Sequence, residues 1–346
     1  MNFSNKLINW YLDNKRSLPW RETKNPYYIW LSEIILQQTQ INQGLPYYNA
    51  FVKKFPSVFE LARAREKTVL NLWQGLGYYS RARNLHFTAK HIVKDLNGVF
   101  PDNYKDLLKL RGVGDYTASA IASICYNEAT PVVDGNVYRF LSRYFGIRTS
   151  INSSKAKKEF KDLAKQLIDV NNPAEFNQAI MEFGSRQCKP QSPECTKCPF
   201  NKKCVALQTN SIGELPVKLK AKKVKKRYFN YLVFLSVDEK TTIQQRNGSG
   251  IWEKLYQFPL VETTEAVNLT LIKKNPEFQK MINGRKYSIS EYNDLDIIHK
   301  LSHQHLYTKF WIINIDKLIN KGIPVKNLKS YPFPTLINNF INEFNF

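Results

Sequence analysis

Apolar residues recur at helical spacing through the first part of the chain. Leu7, Ile8, Tyr11 and Leu12 fall on one side of a 3.6-residue repeat, which predicts an amphipathic helix near the N-terminus. Similar stretches follow it, and short breaks that contain Gly or Pro separate them. They predict helices at 29–36, 58–73, 81–95, 104–110, 115–125, 134–145, 155–169 and 173–184, with no convincing strand-like alternation.

The pattern becomes strand-like from residue 228. Residues 228–235 and 310–313 are rich in aromatic and β-branched side chains, as strands are. Residues 265–282 and 332–344 have helical character. This part of the chain therefore predicts a small α+β domain.

A polar segment separates the two patterns. Residues 206–217 carry Asn, Ser, Gly and Pro, and residues 218–227 hold seven basic residues in ten. Like charges keep such a segment extended, so it is either a solvated tether or a tether that touches a nucleic-acid backbone. We predict a multidomain fold, with an all-α domain at 1–205, a linker at 206–227 and an α+β domain at 228–346.

The charge balance narrows the class of partner. The 346 residues include 51 Lys and Arg against 29 Asp and Glu, a net charge of +22. Such an excess favours a polyanion such as nucleic acid, although a basic proteome or a solubility role would also produce it. No run of about 18 apolar residues predicts a membrane span, and the N-terminus lacks the apolar stretch of a signal peptide. A reducing compartment is expected, where cysteines rarely form disulfides.

Four of the five cysteines lie close together near the end of the helical region. Cys188, Cys195, Cys198 and Cys204 are spaced C-x6-C-x2-C-x5-C, which predicts a metal site. Four thiolates suit either zinc or an iron–sulfur cluster. Because there is only one C-x2-C pair, the longer gaps favour wrapping one 4Fe–4S cluster. The fifth cysteine, Cys125, is explained by core packing.

Two further segments carry chemistry within the helical region. Arg111, Gly112, Val113 and Gly114 precede a helix that begins near Asp115, so backbone N–H groups and the helix N-terminus can meet a phosphate. About twenty residues later comes Val-Val-Asp-Gly-Asn-Val at 132–137. Its Asp134 is either a helix N-cap or a catalytic carboxylate.

These motifs together resemble the helix–hairpin–helix, iron–sulfur glycosylases of the endonuclease III superfamily, and within it the adenine DNA glycosylases. The hairpin of that superfamily is usually written L-P-G-V-G, and here Arg111 replaces the proline. Residues 18–21 (L-P-W-R), 30–40 (W-L-S-E-I-I-L-Q-Q-T-Q) and 75–85 (G-L-G-Y-Y-S-R-A-R-N-L) resemble signatures of the adenine branch. The resemblance covers nearly all of residues 5–205.

The resemblance implies a pair of carboxyl groups as the catalytic centre. Glu33 has apolar neighbours that raise a carboxyl pKa, and it would protonate adenine at N7. Asp134 would stay ionised and stabilise the sugar cation. The family further implies that Tyr116 and Asn136 orient these groups. It also implies two sets of substrate contacts: Trp20, Arg21, Leu36 and Gln178 around the flipped base, and Gln38, Leu76 and Tyr78 as wedges in the duplex.

One position separates the two branches of the superfamily. Bifunctional members carry a lysine two residues after the last hairpin glycine, and this chain has Tyr116 there. A phenol cannot form the Schiff base that a lyase needs, which predicts a monofunctional enzyme. The alternatives are an endonuclease III-like lyase on oxidised pyrimidines and a non-catalytic DNA-damage-binding protein.

The C-terminal region resembles a Nudix-like lesion-reading domain. Residues 250–259 (G-I-W-E-K-L-Y-Q-F-P) match its G-L-W-x-x-L-Y-x-F-P, but residues 260–280 lack the hydrolytic Nudix motif. Leu301, Ser302 and His303 occupy the place of an H-x-F-S-H loop that reads 8-oxoguanine, with Leu301 in place of phenylalanine. The implied partner is double-stranded DNA that contains A opposite 8-oxoguanine or G. We expect a monomer in the bacterial cytoplasm, associated with the nucleoid and not with a membrane.

Overall fold

The computed structural model describes residues 2–219, 224–248, 250–318 and 322–346. The chain divides into two compact units. The first, the helical unit, comprises residues 1–64 and 84–220, and the second, the C-terminal unit, comprises residues 65–83 and 221–346. Part of the predicted basic linker, residues 220–223, lies outside the described residues. In the part of the chain that is described, no helix is long and apolar enough to cross a membrane.

No strand occurs between residues 2 and 219, so the regular structure of the helical unit is helical throughout the described residues. The prediction of an all-α domain is therefore confirmed. Its helices, with α6 continuing from the C-terminal unit, are α1 (Phe3–Asn14), α2 (Pro26–Leu36), α3 (Ile41–Lys54), α4 (Val58–Arg63), α6 (Ser80–Asp95), α7 (Tyr104–Leu107), α8 (Asp115–Tyr126), α9 (Gly135–Phe145), α10 (Ser154–Leu167), α11 (Pro173–Arg186) and α12 (Val205–Gln208).

Helices α9 and α11 pack closely because one residue has no side chain. A Cβ atom on Gly184 would lie 2.5 Å from the Asn136 carbonyl oxygen. Aromatic rings fill the space beyond this contact, where Phe140 and Phe183 have centroids 4.4 Å apart. The close approach brings the start of α9 against α11, and Asp134 is the N-cap of α9.

The C-terminal unit is built on a seven-stranded sheet of order β6-β8-β1-β2-β9, with β5 also paired to β1 and β7 to β8. Strands β1 and β8 run parallel over twelve residues, and the other pairs of this sheet are antiparallel. The strands are β1 (Lys225–Ser236), β2 (Lys240–Thr241), β3 (Gln244–Gln245), β4 (Tyr256–Gln257), β5 (Leu260–Thr263), β6 (Tyr287–Glu291), β7 (Ile297–Leu301), β8 (Gln304–Ile315) and β9 (Ile323–Pro324), with β3 and β4 forming a separate pair.

Alternating residues of β1 enter two different cores. Phe229, Tyr231 and Val233 join a core that includes residues of helix α15 (Thr335–Glu343). Leu232 and Phe234 join the opposite core with helices α13 (Leu269–Lys274) and α14 (Pro276–Ile282). Successive side chains of a strand point to opposite faces of the sheet, and here helices pack on both faces. This confirms the predicted α+β domain.

The segment 65–83 packs with residues near the end of the chain, within the C-terminal unit. It contains α5 (Glu66–Leu72) and a turn that leads into α6. The Lys67 ammonium lies 3.4 Å from the centre of the Tyr331 ring, and the Asn71 amide donates to the Ser330 carbonyl oxygen at 3.0 Å. The sequence placed this segment within residues 1–205, with the helical domain.

Three predicted boundaries differ from the structure. The helix predicted at 58–73 is two helices, α4 and α5, because the chain is extended at Ala64 and Arg65, where it passes from one unit to the other. The helix predicted at 265–282 breaks before Pro276, which forces the preceding residue out of the helical region. Strand β1 begins at Lys225, so residues 225–227 of the predicted linker are part of the sheet.

Candidate active site

Glu33 lies on α2, a helix that is buried on nearly every side. Pro26 at its first turn and the Asn25 side chain, which accepts a hydrogen bond from the Tyr27 N–H, fix its start. Glu33 is only 8% exposed. Burial is the main cause that raises the pKa of Glu33 to about 7, the nearby Asp134 carboxylate raises it further, and a hydrogen bond with Tyr116 opposes both.

Tyr116 lies in the first turn of α8, directly after the hairpin at residues 111–114. Its hydroxyl lies 3.0 Å from the Met181 sulfur. Burial, with the carboxylates of Glu33 and Asp134, raises the pKa of Tyr116 well above its ordinary value, so the phenol keeps its proton. The phenol O–H can donate either to the Met181 sulfur or to the Glu33 carboxylate, and donation to Glu33 is the direction that lowers the pKa of Glu33.

Asp134 caps helix α9 and accepts three hydrogen bonds. One carboxylate oxygen accepts from the backbone N–H groups of Asn136 at 2.9 Å and Val137 at 2.8 Å, and the other accepts from the Asn136 amide at 2.7 Å. The pKa of Asp134 is raised above its ordinary value because burial outweighs these three donors and the Arg139 guanidinium, which oppose the rise. Asp134 is therefore a helix N-cap, and it also lines a cavity, while its catalytic role stays a prediction.

The carboxyl groups of Glu33 and Asp134 line the same cavity of about 660 Å³. The sequence had singled out Leu36, Gln38, Gly114 and Tyr116, and these also line it. Gln38 follows the end of α2 in a left-handed backbone conformation, with φ of 57°. The cavity therefore combines residues from the end of α2, the start of α8 and the start of α9.

Two lysines of α10 also line this cavity and were not singled out from the sequence. Lys157 and Lys161 lie one turn apart on one face of α10. Lys161 pairs with Asp115 at 3.1 Å and donates to the Pro131 carbonyl oxygen at 2.7 Å. One indication in the sequence that these lysines could line the site is that they repeat at helical spacing shortly after the Asp134 motif.

Trp20, Arg21 and Gln178 are not among the described residues that line the cavity. The Arg21 guanidinium binds the Glu182 carboxylate at 2.8 Å. Trp20 is buried against the edge of Tyr48, with ring centres 5.0 Å apart. Gln178 accepts a hydrogen bond from the Tyr11 hydroxyl at 2.8 Å.

Glu182 was missed by the sequence reasoning. It lies on α11 with its side chain 1% exposed, and it binds both Arg16, at 2.6 Å, and Arg21. Although burial alone would raise the pKa of Glu182, hydrogen bonds from these two guanidinium groups lower it to about 2. No local pattern marks this residue, since its two partners are more than 160 positions away in the chain.

The hairpin at residues 111–114 presents its backbone openly. Gly112 needs the freedom of glycine, since its φ is 81° and a Cβ would lie 2.8 Å from that of Asn84. A Cβ on Gly114 would meet nothing within 4 Å, so the N-terminus of α8 is accessible. Val113 is buried, and the Arg111 guanidinium lies 4.7 Å from the centre of the Phe87 ring.

The four clustered cysteines line one small cavity, together with the aromatic rings of Phe140, Phe183 and Phe200. All four are free thiols. Burial raises the pKa of Cys188 and Cys195, and it raises that of Cys198 to about 11. Over the described ranges, no group of three or more His, Cys, Asp or Glu side chains is arranged to hold a metal ion.

Two arginines of α9 support this loop and were also missed. Arg143 donates to the carbonyl oxygens of Lys189 at 2.6 Å and Pro190 at 3.0 Å, and it lies 3.5 Å from the Cys188 sulfur. Arg139 donates to the Cys188 carbonyl oxygen at 2.8 Å. Their spacing of four residues on a helix was a weak indication of a shared partner.

In the C-terminal unit, Ser302 and His303 form the two-residue turn between β7 and β8, and both are exposed. Leu301 packs partly against the core below the turn. The Ser302 hydroxyl lies 2.7 Å from that of Tyr78, a residue 53% exposed with φ of 46°. Leu76, by contrast, is 6% exposed. Residues from two distant parts of the sequence thus meet at this turn.

Comparison with known proteins matches both regions of the chain. Residues 31–166 match the model of the HhH-GPD superfamily base excision DNA repair proteins, and residues 230–343 match a NUDIX domain model. The adenine DNA glycosylase of Buchnera aphidicola subsp. Baizongia pistaciae is 36% identical over 313 residues, covering 90% of this chain and 86% of that protein. The human adenine DNA glycosylase is 43% identical over 215 residues, covering 60% of this chain and 39% of that protein.

Solved structures show the same helical fold. A thermostable thymine-DNA glycosylase superposes with a TM-score of 0.56 at 28% identity, covering 60% of this chain and 95% of that structure. A non-covalent endonuclease III–DNA complex superposes with a TM-score of 0.53 at 21% identity, covering 60% and 94%. The sequence relationship extends over both regions, and the helical region carries the fold of base excision glycosylases. The chain therefore belongs to the adenine DNA glycosylases, enzymes of base excision repair that hydrolyse the N-glycosyl bond of adenine in DNA.

Proposed function

We propose that the enzyme removes adenine paired with 8-oxoguanine, or with G, from double-stranded DNA and leaves an abasic site. The observation that carries the catalytic part is the cavity shared by Glu33 and Asp134. Its volume of about 660 Å³ lies within the range of sites that hold a small organic ligand, roughly 300–1,000 Å³. The target adenine has to leave the base stack to enter it.

The two carboxyl groups have different environments, which suits them to different roles. Glu33, with a pKa of about 7, holds a proton near neutral pH and donates it to adenine N7. Asp134 receives three N–H donors, which favour its ionised form. Its negative charge stabilises the sugar cation as the C1′–N9 bond breaks. Adenine leaves with the C1′–N9 electron pair and the proton that it received at N7. A water oxygen then bonds to C1′ and passes its proton to the Glu33 carboxylate, which restores the acid.

Tyr116 and Asn136 act as positioning residues in this proposal. Tyr116 hydrogen bonds with Glu33, and Asn136 binds Asp134 at 2.7 Å. Because Tyr116 occupies the position of the lyase lysine, no amine is placed there for a Schiff base, and the strand is left intact. Leu36 lines the cavity beside the base. Trp20, Arg21 and Gln178 remain proposed pocket residues, which would require rearrangement when DNA binds.

The base opposite adenine is read, in our proposal, by the turn between β7 and β8 and by the segment before α6. Ser302, His303 and Tyr78 are exposed and can reach polar groups of a base. Gln38, Leu76 and Tyr78 are the proposed wedges opposite the lesion, and Leu301 is proposed to wedge between bases from the turn. Leu301 and Leu76 are packed in this structure, so they must leave their present environment to enter the duplex.

DNA backbone binding is assigned to the hairpin at Arg111, Gly112, Val113 and Gly114. The open N-terminus of α8 offers N–H groups to a phosphate, and Arg111 adds a cation. The overall charge of +22 supports the same partner. The proposed division is a glycosylase domain at 1–205, a basic linker at 206–227 and a lesion-reading domain at 228–346, in a monomer. Residues 65–83 and 225–227 fold with the last of these.

One 4Fe–4S cluster is the proposed cofactor, held by Cys188, Cys195, Cys198 and Cys204. The donor set fits because four free thiols line one apolar cavity, and four cysteine thiolates are the ligands of a 4Fe–4S cluster. The positive iron would offset the burial that raises their pKa values, and Arg143 would face the thiolate of Cys188. Bound there, the cluster would serve as a structural element that orders the loop.

The test uses three duplexes that carry a single A opposite 8-oxoguanine, G or T, each followed by alkali cleavage. We expect excision to be fastest opposite 8-oxoguanine, slower opposite G and negligible opposite T. Glu33→Gln should leave all three intact. Equal rates opposite 8-oxoguanine and G would contradict the proposed preference, and strand nicking without alkali would contradict the monofunctional assignment.

A further inference from the structure

Two separate contacts join the segment 65–83 to two turns of the same unit, one at Ser302 and one at Glu253. The first is the exposed pair of hydroxyl groups on Tyr78 and Ser302, 2.7 Å apart. The second lies five residues further along the segment, where Arg83 donates to the Glu253 backbone oxygen at 2.8 Å and to its carboxylate at 2.7 Å. The side chains of this pair are 19% and 33% exposed, so it is more protected from solvent than the first contact.

Glu253 lies in a loop with an unusual backbone. Its neighbours Trp252 and Lys254 both have left-handed conformations, with φ of 61° and 66°. Side chains with a Cβ rarely adopt this conformation, and such residues persist only where their surroundings hold them. Arg83 binds both the main chain and the side chain of the residue between them, so it contributes directly to holding the loop.

The loop in turn contacts the strand that leads to Ser302. The Trp252 ring lies 5.7 Å from the His299 ring, centre to centre. His299 is on β7, three residues before Ser302. A series of contacts therefore runs from Arg83 to Glu253, from its neighbour Trp252 to His299 on β7, and along β7 to Ser302. Ser302 in turn contacts Tyr78, which is on the same segment as Arg83.

We propose that the Arg83–Glu253 pair is a positioning pair that sets the geometry between Tyr78 and Ser302. This inference rests on the proposed reading of 8-oxoguanine by those two residues. An exposed hydroxyl pair cannot fix its own position, since water competes for both groups. A charged pair with two hydrogen bonds is stronger, and it fixes both segments relative to each other. Glu253 occupies a position that the G-L-W-x-x-L-Y-x-F-P motif leaves unspecified.

The experiment measures the ratio of single-turnover excision rates for A opposite 8-oxoguanine and A opposite G. It compares wild type with Arg83→Glu, Glu253→Arg and the double variant that exchanges the two charges. Hydrogen bonds to charged groups contribute enough for a change of about tenfold, so either single variant should lower the ratio about tenfold. The exchanged pair should recover only part of it, because a carboxylate at position 83 can pair with a guanidinium at position 253 but cannot donate to the backbone oxygen there. Arg148→Glu, which breaks an Arg–Glu pair in the helical unit at 3.0 Å, is the matched control and should keep the wild-type ratio.

A purely structural role predicts a different result. It would lower the thermal midpoint and both excision rates together, with no change in their ratio. If wild type prefers 8-oxoguanine and both single variants keep that preference, the positioning role is wrong while the proposed function stands. If wild type itself shows no preference, the proposed reading of the lesion fails, and this inference fails with it. Should the charge reversals not fold, Glu253→Gln decides, because it keeps the size of the side chain and an unchanged ratio there overturns the proposal.

Discussion

Glu33 and Glu182 are both buried glutamates in the helical unit, and burial has opposite outcomes for them. Around Glu33, on α2, apolar side chains dominate and the pKa rises to about 7. Around Glu182, on α11, two guanidinium groups lie within 2.8 Å and the pKa falls to about 2. Glu33 is therefore a carboxylic acid that can release its proton near neutral pH, whereas Glu182 is ionised at neutral pH.

The difference shows that cations, and not burial alone, decide the protonation of a buried carboxyl group. Arg21 lowers the pKa of Glu33, and its guanidinium is held by Glu182. Because Glu182 neutralises Arg21, we expect that removing the Glu182 charge would let Arg21 favour the ionised form of Glu33 more strongly. Four predictions follow from this contrast.

The largest effect is expected for Glu33→Gln on activity. A general acid contributes about 10²–10⁴-fold to a rate, so single-turnover excision should fall at least about 100-fold while DNA binding is retained. Glu175→Gln changes an exposed glutamate of the same unit and should excise at the wild-type rate. An active Glu33→Gln variant would remove Glu33 from the chemistry.

Glu182→Gln should cost the most stability. Removing one partner of a buried pair destabilises by about 3–5 kcal/mol, and we expect the lower end because the Arg16 side chain is 31% exposed. The folded pKa of Glu182 is lowered, so its contribution is present above the unfolded pKa of 4.5 and is lost as the pH falls toward about 2. Urea unfolding at pH 7 and pH 3 measures this. A loss of stability that is the same at both values would contradict the role given to its charge.

Glu33→Gln should show the opposite pH dependence in stability. Because the folded pKa of Glu33 is raised from 4.5 to about 7, the wild-type fold loses stability as the pH rises through that range. One pKa unit is about 1.4 kcal/mol. The unfolding free energy of the variant relative to wild type should therefore rise by up to about 3 kcal/mol between pH 4 and pH 8. A constant difference across these values would show that Glu33 ionises normally.

The smallest expected effect is a shift in the pH–rate profile of Glu182→Gln. Wild-type excision should decrease above about pH 7 as Glu33 loses its proton. With Arg21 released from Glu182, the midpoint should move to lower pH, by about one unit or less, as for a charge in a partly solvated site. Single-turnover rates between pH 5.5 and 9 give both midpoints. A midpoint that moves upward would contradict the direction.

Local patterns were sufficient to predict much of the fold. Helical periodicity predicted the helices around the active site, and the segment at 228–235 predicted the central strand β1. The helices and the strand depend on neighbours within a few residues, which a single sequence displays. That Glu33 and Asp134 share a cavity was predicted from the resemblance of their motifs to a known family, and not from local pattern.

Contacts between distant residues could not be predicted in the same way. The pairing of Arg16 and Arg21 with Glu182 spans more than 160 residues, and so does that of Arg83 with Glu253. The segment 65–83 has helical periodicity like its neighbours, and nothing local indicates that it packs within the C-terminal unit. Each of these depends on packing that only the folded chain establishes.

The most direct test of the difference between the two glutamates is a carbon-13 NMR titration of the glutamate carboxyl groups in the free enzyme. Spectra of Glu33→Gln and Glu182→Gln assign the two resonances by their loss. We predict that the Glu33 resonance titrates with a midpoint near pH 7 and that the Glu182 resonance does not move above pH 4. If the Glu33 resonance instead titrated with a midpoint near pH 4.5, as the exposed glutamates do, the account would be contradicted.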